Sequence, residues 1–198
     1  MQNTANSRSA ADLDLGLNDL GPLAWVLDEL RKSLDGANKA LKRFVRDAEA
    51  ARGSDLAALD SSQLRIARQQ LHQAVGALEM VGLGAPAVVL RAMETAAQKF
   101  VQRPEQCSAQ AVAQVERASF ALTEYLENVL AGKGAPSVAL FPQYREVQTI
   151  NAAERIHPAD LWTHEWRWIS IPLVPAADSA QAVTRAQIEG IATATAGL

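Results

Sequence analysis

Four successive stretches of this chain repeat apolar residues at steps of three and four, and only short connections separate them. Few folds are open to a chain patterned this way. Each stretch makes a helix with a single apolar face, and four such faces are buried together as an antiparallel bundle. The first stretch runs from about Pro22 to Arg52, with Leu23, Leu27, Leu30, Leu34, Ala37, Leu41, Phe44 and Ala48 in its stripe. The second runs from about Ser61 to Val81 on Leu64, Ala67, Leu71, Val75, Leu78 and Val81. The third spans about Ala85 to Val101, with Val89, Met93, Ala96 and Phe100 facing inward. The fourth spans about Ser108 to Ala131 on Val112, Val115, Leu122, Leu126 and Val129. Pro22 suits a first helical turn, Asp60 or Ser61 and Ser108 are N-cap candidates, and Gly53, Gly132 and Gly134 are natural stops. Gly36 is expected to bend the first helix. No segment before Ala135 alternates with period two, so the fold class is all-α.

The flanks read differently. Residues 1–20 are expected to be a disordered tail, although Leu13, Leu15, Leu17 and Leu20 among three aspartates could also form a weak docking segment. The bundle is assigned to residues 21–134. Residues 135–170 carry Pro136, Pro142 and Pro158 together with Phe141, Tyr144, Trp162, Trp166 and Trp168. They read as an extended aromatic segment packed on the bundle, with short helical pieces near 144–151 and 158–162 and the tryptophans as its staple. Residues 171–198 are rich in Ala, Pro and Ser and read as a flexible linker, which suggests part of a larger multidomain chain. The net charge of −3 and the lack of a basic stripe argue against nucleic acid. A single cysteine, Cys107, excludes an internal disulfide and favours a reducing compartment. No signal peptide and no run of ~18 apolar residues is present, so no membrane insertion is expected and the setting reads as cytoplasmic.

One polar residue in the second helix stands apart. In Leu71-His72-Gln73-Ala74-Val75-Gly76-Ala77-Leu78-Glu79-Met80-Val81-Gly82, the histidine is followed by glycine at the fourth and tenth positions. At 100° per residue His72 lies roughly 100° from the centre of the apolar stripe, on the exposed flank. Gly76 and Glu79 return to nearly the same azimuth, and Arg68 precedes by one turn. Glycine inside a helix costs about 1 kcal/mol against alanine, so a gap beside His72 calls for a reason. Such a gap lets a partner protein approach an imidazole, which can take a phosphoryl group from an aspartyl phosphate. Arg68, Gln69, Gln73, Gly76 and Glu79 are then the partner-binding candidates around His72. Glu79 could hold the imidazole tautomer or repel a phosphate. An ordinary surface histidine is the competing reading. His157 and His164 with Glu165 are too loosely spaced for a convincing metal site. No cofactor motif appears, and the chain alone is not expected to be an enzyme.

Several strings resemble one family. They are Pro22-Leu23-Ala24-Trp25-Val26-Leu27-Asp28-Glu29-Leu30, Ala67 to Glu79, Phe141-Pro142-Gln143-Tyr144-Arg145-Glu146-Val147, and His157-Pro158-Ala159-Asp160-Leu161-Trp162. Together they resemble the N-terminal region of the ChpA/PilL-type chemotaxis-like hybrid histidine kinases of type IV pilus systems, and more distantly the FimL-type scaffold. The likeness covers about residues 20–168. It implies a histidine-phosphotransfer (Hpt)-like module in a pathway controlling twitching motility, partnered by a response-regulator receiver domain or a pilus-system scaffold protein. It maps the phosphoacceptor onto His72 and the motif glycines onto Gly76 and Gly82. The motif lysine maps onto Val75, whose apolar side chain cannot steady phosphoryl oxygens. The expectation is a docking module with His72 as an impaired phosphoacceptor. A competent phosphotransfer intermediate and a purely structural helical domain are the alternatives.

Overall fold

The structure, a computed structural model, describes residues 21–51 and 61–162. The expectations for residues 1–20 and 171–198, and for His164, Glu165, Trp166 and Trp168, fall outside those residues. Among the described residues the chain is all helical: α1 (Gly21–Ala50), α2 (Ser62–Val81), α3 (Gly84–Gln102), α4 (Ala109–Leu130) and α5 (Phe141–Ile150). Three short 3-10 turns join or follow them, Pro104–Gln106, Ser137–Leu140 and Pro158–Leu161. No described helix is long and apolar enough to cross a membrane.

The stripes do what their spacing demands. Leu23, Leu27, Leu30, Leu34, Ala37, Leu41 and Phe44 of α1 are buried, as are Leu64, Ala67, Leu71, Val75 and Leu78 of α2. Val89, Met93, Ala96 and Phe100 of α3 meet Val112, Val115, Leu122, Leu126 and Val129 of α4 in the same apolar cluster. Burial of this kind is worth about 1.5–3 kcal/mol for each large side chain. Cys107 joins the cluster, and burial pushes its thiol up to about 12.

Surface pairs fix the helix directions. Arg31 reaches Glu127 at 2.5 Å near one end of α1, and Lys42 reaches Glu116 at 2.5 Å further along, so α1 and α4 run antiparallel. His72 pairs with Glu94, and Glu79 with Arg91, so α2 and α3 also run antiparallel. The turn between α2 and α3 is tight because Gly82 adopts φ +80°, a conformation only glycine takes without strain. There the N–H of Gly82 donates to the Glu79 carbonyl at 3.1 Å and that of Leu83 to the Leu78 carbonyl at 3.3 Å. Gly82, ten residues after His72, is therefore a helix stop. Gly36 does not interrupt α1; a Cβ there would lie 3.4 Å from the Gln70 amide oxygen, so it marks a close approach of α1 and α2. Ser108 caps α4 by accepting from the Ala111 N–H at 3.2 Å, whereas the side chain of Ser61 makes no capping bond to α2.

The aromatic segment has the two expected helical pieces and packs on the bundle, but it is less extended than expected: Pro142 occupies the first turn of a ten-residue helix, α5, which rests on both α3 and α4. Leu140, Tyr144, Val147 and Leu161 are buried and make the attachment, while Trp162 stays 59% exposed. The Trp162 indole is therefore no staple. Leu140, just before α5, and Tyr144 and Val147 within it form one buried stripe, and that stripe carries the packing. The Tyr144 hydroxyl accepts from Gln148 at 2.8 Å and donates to Asp160 at 3.3 Å, and burial raises its pKa above the ordinary value. Asn151, just past α5, donates to the Ala92 carbonyl of α3 at 2.9 Å, and its own carbonyl accepts from Lys99. α3 and α4 touch each other less than either of the pairs α1 with α2 or α2 with α3, and α5 contacts both of them.

Candidate functional site

α2 places His72 where the helical wheel puts it. The side chain is 69% exposed, one residue off the buried Leu71 and Val75 stripe. Its Nδ1 lies 2.9 Å from Glu94 Oε1, across the α2–α3 seam. The Glu94 side chain is only 20% exposed, so this carboxylate is held from the side of the seam. An ionised carboxylate only accepts hydrogen bonds, so in the neutral ring the shared hydrogen sits on Nδ1. Nε2 is then the nitrogen with a lone pair, and it has no partner among the described residues. The contact orients an exposed imidazole across the α2–α3 seam.

Glu79 does not take that part. Arg91 of α3 holds it, donating from Nε at 2.9 Å and from a terminal nitrogen as well. The negative charge two turns from His72 is therefore matched by a guanidinium. Arg65, also on the His72 side of the helix, donates to Ser61 Oγ at 2.9 Å. Arg68, one turn before His72, is exposed and makes no ion pair or hydrogen bond among the described residues. Gln69 and Gln73 are exposed too. A Cβ on Gly76 would meet nothing within 4 Å, so the space beside His72 is open. Val75 is 6% exposed and belongs to the core, so position 75 points away from solvent.

Sequence reasoning missed four residues here. Glu94 and Arg91 sit on another helix, and only the hairpin register finds them: His72 and Glu94 lie eleven residues on either side of Leu83. Ile66 and Met80 are 45% and 83% exposed. They extend an outward stripe, Ile66, Gln69, Gln73, Gly76, Met80, whose steps of three and four were legible in the sequence. The result is a helix face with apolar ends, amides and a glycine in its middle, and His72 on its edge.

His157 serves a local purpose. Its Nδ1 accepts from the Ala159 N–H at 3.1 Å while Asp160 accepts from the His157 N–H at 3.0 Å, which caps the 3-10 turn. Two grooves along the α1–α4 seam, the larger about 480 Å³ and lined by Lys39, Lys42, Val45, Arg46 and Val112 among others, share no residue with the α2 face. Among the described residues no group of three or more His, Cys, Asp or Glu side chains is placed to hold a metal ion. Comparison with protein-family models, with curated proteins and with solved structures finds no match for this chain.

Proposed function

We propose that this chain is an Hpt-like signalling module built on an antiparallel four-helix bundle, α1 to α4, to which α5 is added. His72 is its phosphoacceptor and the outward face of α2 its docking surface. The partner is a response-regulator receiver domain or a scaffold protein of a chemotaxis-like pathway controlling type IV pilus motility. The observation that carries this reading is the His72–Glu94 contact at 2.9 Å, which orients an exposed imidazole and leaves Nε2 free. The resemblance of residues 20–168 to the ChpA/PilL-type kinases supports the same reading and supplies the pathway.

The chemistry is slow in this chain. A charge-assisted contact from the motif lysine would be worth roughly 1.5–3 kcal/mol. Its absence at Val75 slows transfer by about one to two orders of magnitude, at ~1.4 kcal/mol per decade. Incubation with a phosphorylated receiver domain should give slow, acid-labile labelling that disappears in His72→Gln. No label at any time would leave the docking role without phosphotransfer, or a purely structural helical module. Rapid stoichiometric labelling would instead make the chain a full phosphorelay intermediate.

Docking is expected to depend on shape more than on charge. Gly76→Leu should abolish capture of the partner while leaving the melt unchanged or slightly raised. The added side chain enters open space, and replacing a helix-interior glycine recovers up to about 1 kcal/mol. Unchanged binding by that variant would move the interface off α2, with the exposed Trp162 as the next surface to probe.

A further inference from the structure

Within the proposed phosphotransfer function, we infer that Arg68 binds the phosphoryl group on His72 Nε2 and so makes up in part for the charge that position 75 does not provide. The inference rests on that function and on four observations. Val75 is a core residue, so no cation is available three residues after the histidine. Arg91, the cation across the seam, is held by Glu79. Arg65 is two turns away and bonded to Ser61. Arg68 alone combines the right turn of α2 with an exposed side chain and no partner among the described residues.

Helix geometry allows this contact. Both side chains lean toward the N-terminus of α2, so they remain one turn apart on the same side. Residues four apart have Cβ atoms about 5–6 Å from each other, well within the reach of an arginine. A guanidinium also matches phosphate geometry with two parallel N–H donors, which an ammonium does not.

The step balances without further groups. The Nε2 lone pair attacks phosphorus, the bond from phosphorus to the donor's leaving group breaks, and the leaving group departs with its electron pair. Nδ1 keeps its hydrogen, shared with Glu94, and the positive charge gained by the ring is spread between the two nitrogens beside that carboxylate. Arg68 donates to the phosphoryl oxygens, which carry the negative charge throughout.

The test needs no protein partner. Phosphoramidate, a small donor whose leaving group is ammonia, is incubated with the full chain, and the phosphohistidine is followed by phosphorus NMR. Its appearance and its subsequent hydrolysis give two rate constants for wild type, Arg68→Ala and Arg68→Lys, each with a melt. Arg68→Ala should form phosphohistidine about three- to tenfold more slowly, an exposed charge pair being weaker than a buried one. Arg68→Lys should recover part of that loss, and the difference between variants should shrink as salt rises. Equal melts for all three would exclude a folding effect. Labelled wild type with an unchanged Arg68→Ala rate overturns the role of Arg68 and leaves His72 as acceptor. Wild type that takes no phosphate overturns both.

Discussion

Val75→Lys should unfold the module more readily than it restores phosphotransfer. At 6% exposure Val75 packs in the same cluster as Leu71 and Leu78, so the substitution carries an ammonium toward the core, where no carboxylate is buried among the described residues. An unpaired charge in such a place costs roughly 3–5 kcal/mol. The four-carbon stem recovers part of that if it carries the charge out along the α2 surface. A urea series should show a lower midpoint for Val75→Lys, and the loss should persist in a His72→Gln background. A variant with a wild-type midpoint and faster labelling would show that the apolar residue is dispensable and that the lysine position is accessible after all.

Leu71→Ala and Leu78→Ala should each cost roughly 2–5 kcal/mol, because both side chains are completely buried and leave a cavity in a close-packed core. Their neighbour His72, at 69% exposure, should lose less than about 1 kcal/mol on replacement by alanine, chiefly its contact with Glu94. The three variants lie within two turns of one helix, so helix propensity alone cannot separate them. Equal damage from His72→Ala and Leu71→Ala in denaturant titrations would place the histidine in the core and remove the proposed function with it.

The helices could be read from the chain because burial imposes a period of its own. Every stripe residue from Leu23 to Phe44 is buried, and the α2 stripe from Leu64 to Leu78 is too. The exposure of His72 follows from the same arithmetic. What pairs with it does not. Glu94 meets the histidine through the register of a hairpin, and that register depends on Gly82 adopting a left-handed turn, a tertiary consequence of one residue's freedom. Glu79 could hold the imidazole or repel a phosphate as far as α2 alone shows; Arg91 of the facing helix pairs with it instead. The aromatic segment was legible in part. Its two helical pieces were expected, but its prolines suggested a longer extended strap, whereas Pro142 fits a first helical turn; Leu140, Tyr144 and Val147 make the contact and Trp162 does not.

The brace formed by Asn151 bears on where this module ends. Asn151 grips the carbonyl of Ala92, two residues from Glu94 on the same turn of α3, and the Lys99 ammonium reaches back to the Asn151 carbonyl. The turn of α3 that carries Glu94 is thereby tied to a residue beyond the fourth helix. A fragment cut after Leu130 would retain every residue of the α2 face and lose that tie. A transplant that keeps it runs past Asn151.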